Sequence, residues 1–116
     1  MERIYNKLVR DNIPNIIENN GEKAICRTLN DDEYWQYLLE KDKEELEEVR
    51  LADTDDEIKK ELADKLELIR AMAEFKGFSL NDIINAADKK TTTNGAFRKR
   101  IFLEKVIDNK TKKLDA

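Results

Sequence analysis

Apolar residues recur at helical spacing along most of the chain. Between residues 30 and 51, one stripe is Trp35, Leu39, Asp42, Leu46 and Val49, and beside it runs Tyr34, Leu38, Lys41, Glu45 and Glu48. Between residues 54 and 76, the stripe Ile58, Leu62, Leu66, Ile69 and Ala73 runs beside Glu61, Asp64, Leu68, Met72 and Phe75. Spacings of three and four predict two long helices. Asn30 with Glu33 forms a capping box for the first, and Thr54 with Glu57 has the same form for the second. Asp53-Thr54-Asp55 reads as the turn between them, and Gly77 as the residue that ends the second. A shorter helix is predicted from Asp11 as N-cap, with Pro14 in its first turn, Ile13, Ile16 and Ile17 on its apolar face, and Asn19-Asn20-Gly21 at its end. Ser79 with Asp82 opens another helix, carrying Leu80, Ile83, Ile84 and Ala87, which Thr91-Thr92-Thr93-Asn94-Gly95 weakens and stops. Residues 22–29 read as extended or irregular, with one short strand at most. Residues 96–106 are basic and apolar. The expected fold is all-α, an antiparallel helical bundle of four to five helices, in a single domain over residues 1–107 with a polar tail over 108–116.

The two long helices carry mirrored patterns. The row in the first begins apolar and becomes acidic; the row in the second begins acidic and becomes apolar. Pairing them antiparallel across a short turn sets Tyr34 and Leu38 against Met72 and Phe75, and Glu45 and Glu48 against Glu61 and Asp64. At about 1.5 Å rise per residue, the first acidic pair lies roughly 7 Å before the turn and the second roughly 11 Å after it. The four carboxylates therefore sit near one level.

Composition narrows the chemistry available to them. Charged residues make up 41% of the 116 positions and apolar residues 40%, with three Gly and one Pro, a mixture that favours helix. A helical chain of this size often dimerises to bury more apolar surface. The net charge is −4, so the basic excess of a sequence-independent nucleic-acid binder is missing, and DNA or RNA is not an expected partner. The single cysteine, Cys26, excludes an intramolecular disulfide and is expected as a buried small apolar residue. No apolar run approaches membrane-spanning length, and the N-terminus lacks the apolar region of a signal peptide, so a soluble, cytoplasmic protein is expected. Histidine is absent. That removes His-ligated zinc, Ser-His-Asp triads and Cys-His pairs. Carboxylate, Lys, Arg and hydroxyl groups remain.

Carboxylates gathered on partly apolar faces repel one another unless protonated or neutralised by a cation. Oxygen ligands in number select hard divalent ions, Mg²⁺ with Mn²⁺ as an alternative. An ion so held keeps positions for water or phosphate oxygens, which suits hydrolysis of a phosphate ester or anhydride. The plain alternative is a solvated acidic face, with Lys41, Lys43, Lys59, Lys60 and Lys65 as ordinary helical partners.

The motif Glu44-Glu45-x-x-Glu48, twelve intervening residues, then Glu61-Leu62-Ala63-Asp64 resembles the MazG-like all-α NTP pyrophosphatase superfamily. The ends resemble a subgroup of predicted house-cleaning pyrophosphatases: Tyr5-Asn6-Lys7-Leu8-Val9-Arg10-Asp11-Asn12-Ile13-Pro14 is similar to its opening, and Asn94-Gly95-Ala96-Phe97-Arg98-Lys99-Arg100-Ile101-Phe102-Leu103 to its close. The resemblance spans roughly residues 3–106. It implies a MazG-like helical bundle, a homodimer or higher oligomer, and Mg²⁺-dependent cleavage of a nucleoside triphosphate between the α and β phosphates, giving NMP and pyrophosphate. It implies Glu45, Glu48, Glu61 and Asp64 as metal ligands, with Glu44 as a further ligand or a group that orients water, so that Glu44 and Glu45 are the catalytic candidates. Lys65 departs from the apolar residue that commonly follows the Asp. Two rivals stay open: a phosphoribosyl-ATP pyrophosphohydrolase-like enzyme, and a non-catalytic helical interaction or regulatory module.

Cations near the ends are candidates for triphosphate oxygens, where Arg geometry and Lys charge both serve. They are Lys7, Arg10, Lys89 and Arg100, with Lys90 and Lys99 behind them; surface charge or ion pairing is the alternative for each. Tyr34 and Trp35 fit core packing better than base stacking, because both lie on apolar stripes. Asp42, on the core stripe, fits either an oligomer interface or the neighbourhood of the site.

Overall fold

A computed structural model describes residues 1–108. Four helices follow in order: α1 (Ile13–Asn19), α2 (Asp31–Leu51), α3 (Asp55–Phe75) and α4 (Leu80–Asn94). Among the described residues there is no strand, so residues 22–29 take the irregular alternative. Of the expected polar tail, residues 109–116 lie outside the described residues.

The helix ends follow local chemistry. Asn30 accepts the Glu33 N–H at 2.9 Å through its side chain, and the Glu33 carboxylate accepts the Asn30 N–H at 3.4 Å, closing the capping box of α2. Ser79 and Asp82 close the same box on α4, at 3.1 and 2.9 Å. At α3 the box is displaced by one residue. Thr54 Oγ1 accepts the Glu57 N–H at 3.1 Å, but the Glu57 carboxylate accepts the N–H of Asp53, at 3.0 Å. Gly77, at φ 88°, lets the chain turn back so that the Phe78 N–H reaches the Ala73 carbonyl at 2.8 Å.

One expectation about ends is corrected. The N-cap of α1 is Asn12, not Asp11, and it makes no side-chain capping bond. Pro14 occupies the second helical position and has no N–H to offer, so one of the usual bonds of an N-cap is missing. At the other end, the Thr92 and Thr93 hydroxyls donate to the carbonyls of Asp88 and Lys90 at 3.1 Å, and α4 stops at Gly95, within the segment expected to end it.

Helices α2 and α3 form an antiparallel hairpin, and α4 packs on α3; α1 packs on no other helix. No fifth helix forms among the described residues. The expected bundle is thus a two-helix hairpin with one helix added. Its core is small. Leu38, Leu68 and Ala73 are the buried apolar residues among those described. At the end of the hairpin far from the turn, the Tyr34 and Phe75 rings meet edge to face at 5.4 Å, Trp35 stacks on Phe75 at 5.8 Å, and the Lys76 ammonium covers the Trp35 ring at 4.4 Å. Cys26 is exposed, contrary to expectation, because the irregular segment that carries it leaves residues 25–28 open to solvent.

Candidate metal centre

Glu45, Glu61 and Asp64 converge between α2 and α3. One carboxylate oxygen from each lies within 4.8 Å of the other two. Two oxygens on one Mg²⁺ lie about 3 Å apart when adjacent and about 4 Å when opposite, given ligand distances near 2.1 Å. Small side-chain rotations therefore suffice to bring the three onto one ion. Glu45 is 8% exposed, and its Oε2 is buried with no hydrogen-bond partner. A buried carboxylate oxygen left without a donor is costly, and a cation supplies what the chain does not.

The electrostatics point the same way. Burial raises the Glu45 carboxyl to about 7; the hydrogen bond with Glu61 and the charges of Asp64 and Glu61 add to the rise, and the Lys41 ammonium opposes it. Without a cation, the site relieves its repulsion by holding a proton. It also borrows positive charge from the N-terminal arm: Arg10 donates to Asp64 Oδ1 at 2.7 Å.

The fourth expected ligand, Glu48, stays outside the trio and is exposed. Three residues on from Glu45 it is turned about 60° around the helix axis, enough to carry its carboxylate towards solvent. Glu44 is exposed and pairs with Lys41 at 3.1 Å, so for this residue the ordinary helical ion pair is what the structure contains. Lys43 pairs likewise with Glu40. Of the cation candidates, Arg10 reaches the carboxylates, and Lys7 lines a cleft that Glu44 also lines. Lys89 on α4 and Arg100 are exposed, as are Lys90 and Lys99; among the described residues no ion pair or hydrogen bond ties any of them to the trio. Arg100 has φ 59° in a tight turn in which its N–H reaches the Phe97 carbonyl.

Lys41, not among the expected site residues, acts on Glu45. The signal was available: Lys41 precedes Glu45 by four residues, on the same helical row. Lys65, the departure from the family pattern, pairs with Asp42 at 2.8 Å across the hairpin, each partner only partly exposed. This bond accounts for Asp42, the charged residue on the apolar stripe of α2.

A protein of Mycolicibacterium smegmatis (strain ATCC 700084 / mc(2)155), described as an uncharacterized protein, is 52% identical over 50 residues. The match covers 43% of this chain and 51% of that relative, so the chain spans about half its length. No protein-family model matches the chain, and no solved structure matches it. Among the described residues, no helix is long and apolar enough to cross a membrane.

Proposed function

We propose that this chain is a MazG-like, Mg²⁺-dependent nucleoside triphosphate pyrophosphohydrolase, with Mn²⁺ as a substitute ion. Its reaction would be hydrolysis between the α and β phosphates to NMP and pyrophosphate, in a cytoplasmic house-cleaning role against noncanonical nucleotides. The observation that carries this reading is the buried, unpartnered Oε2 of Glu45 beside Glu61 and Asp64. An all-oxygen donor set of this kind fits a hard cation. When bound, Mg²⁺ neutralises phosphate oxygens and makes water a better nucleophile.

The chain's own groups have separable tasks. Glu45, Glu61 and Asp64 hold the ion, and Glu48 completes the set from its exposed position by a change of rotamer. Arg10, released from Asp64 when the ion neutralises the trio, is free to take a phosphate oxygen with its planar fork of donors. Lys41 keeps Glu44 at the edge of the site, where its carboxylate orients or deprotonates water.

The assembly proposed with this activity is a homodimer or higher homo-oligomer. The chain exposes 11,091 Å², against roughly 6,500 Å² for a compact monomer of its mass. Its radius of gyration is 19.3 Å, against about 13 Å for a compact domain of this length. Leu39, Leu46, Leu62 and Leu66 on the hairpin are exposed at 44–55%. A second copy on this face would cover these leucines with its own, the kind of contact from which a stable interface of ~800 Å² per partner is built.

The test is pyrophosphate release from a panel of standard and modified triphosphates, with phosphoribosyl-ATP included, in Mg²⁺. Wild type turns over at least one nucleoside triphosphate, while Glu45→Gln and Asp64→Asn lose activity by a hundredfold or more, on the order expected when a group that organises transition-state charge is removed. Full activity in both variants would remove the proposed centre. Turnover of phosphoribosyl-ATP alone would change the substrate class.

A further inference from the structure

A second feature adjoins the carboxylates on the far side of Lys41. A cleft of about 500 Å³ opens between the N-terminal arm and α2, a volume within the range of small-molecule sites. Tyr5 and Lys7 form one wall; Gln36, Tyr37, Lys41 and Glu44 form much of the other. The α2 residues recur at helical spacing along one face, so the cleft is a groove parallel to the helix rather than a chance gap. Asn6, at φ 47°, turns the arm between its two lining residues, a conformation Asn tolerates better than most. Lys7 lies with its ammonium 5.7 Å from the Tyr5 ring centre.

The lining changes character along the groove. Gln36 and Tyr37 lie one to two turns before Lys41 and Glu44 on α2, Tyr5 lines the cleft from the arm, and Glu33 and Glu40 also line it, paired with Arg27 and Lys43. Lys41 joins the two regions, since it lines the cleft, holds Glu44 at 3.1 Å and acts on Glu45. Aromatic faces suit a planar heterocycle. An amide offers a donor and an acceptor to its polar edge. Lysine ammonium groups suit the phosphates that follow.

We propose that this cleft is the binding site for the nucleoside moiety of a nucleoside phosphate, with the base against Tyr5 and Tyr37, its edge read by Gln36, and the phosphates leading past Lys41 to the carboxylates. The assignment rests on the phosphate chemistry proposed above and adds the place and the residues that select the base. Gln36 is the specificity-determining residue, because it alone among these three presents both a donor and an acceptor in a fixed pair.

The experiment measures equilibrium binding of the four common nucleoside monophosphates to the full chain in EDTA, by calorimetry, for wild type, Gln36→Ala and Tyr37→Ala. Gln36 is an exposed helical position where Ala favours the helix, so the variant folds; thermal melts check both. Wild type is expected to bind at least one monophosphate, Tyr37→Ala to weaken it about tenfold, as loss of a stacking face does, and Gln36→Ala to reduce the difference in affinity between bases. No binding of any monophosphate overturns the proposal, as does wild-type affinity and base preference in both variants. Turnover is not part of this readout. A chain that binds monophosphates in this way but releases no pyrophosphate keeps the cleft and loses the hydrolase; a hydrolase indifferent to both substitutions does the reverse.

Discussion

The guanidinium of Arg10 donates to Asp64 across 54 residues of sequence, at 2.7 Å. This bond places the one cation of the N-terminal arm that touches the trio on a carboxylate that an ion would also need. Arg10 and the proposed divalent ion would therefore compete for Asp64. The pair is partly exposed, at 55% and 30% for the two side chains, so its worth is ~0.5–1 kcal/mol. Arg10→Ala is expected to tighten Mn²⁺ binding about two- to fivefold, measured by electron paramagnetic resonance, while lowering turnover of triphosphate. Weaker Mn²⁺ binding in Arg10→Ala would mean that the arm supports the ion rather than opposing it.

The Glu45 carboxyl gives the metal-free protein an unusual pH dependence. Its value rises to about 7 in the folded chain from an ordinary 4.5. The folded state thus binds a proton that the unfolded state releases, so stability falls as pH rises from 4.5 through about 7. The more common salt-bridged carboxylate does the opposite. Thermal melts in EDTA between pH 5 and pH 8 should show this fall in wild type. Glu45→Gln should flatten it and melt higher than wild type at pH 8, because a neutral amide replaces a buried charge.

Excess Mg²⁺ should oppose the same loss. At a hundred times its dissociation constant, a ligand of the folded state adds about 2.7 kcal/mol. The melting temperature of wild type at pH 8 should therefore rise with Mg²⁺ and that of Glu45→Gln much less. An equal rise in both would point to cations bound elsewhere.

Leu38 is 1% exposed and is the largest fully buried side chain among the described residues. Leu38→Ala should cost about 2–5 kcal/mol, measured by urea denaturation. With so few buried neighbours, a cost in the upper half of that range would leave little folded protein.

Leu62 is 51% exposed and Leu66 45% exposed on the hairpin face. Leu62→Lys with Leu66→Lys should shift the proposed oligomer to monomer in analytical ultracentrifugation and lower the melting temperature, since these side chains lie on the proposed contact face. A wild-type chain that sediments as a monomer at every concentration would remove the proposed interface.

Much of the hairpin was legible because its signals are local. The capping side chains at Asn30, Thr54 and Ser79 act within three residues, and the stripes of α2 and α3 repeat within one or two turns. The antiparallel pairing also followed, since a turn of a few residues leaves two long helices no other way to bury both Leu38 and Leu68. That pairing was enough to bring Glu45 to Glu61 and Asp64. The sequence could not place Glu48, whose row is correct but whose side chain, three residues nearer the turn, swings out of the trio. It could not show that α1 packs on no other helix or that Cys26 is exposed, because apolar content alone does not say what covers it.

The sequence by itself therefore determined the helices, the ends of α2, α3 and α4, and the level at which the acidic residues meet, all of which depend on spacing along one chain. Only the tertiary structure decided which charges touch. Arg10 on Asp64, Lys65 on Asp42 and the cleft between Tyr5 and Tyr37 each join residues whose separation is set by the path of a loop or by the packing of two helices. Such distances depend on where the backbone goes in three dimensions, and no helical periodicity records them.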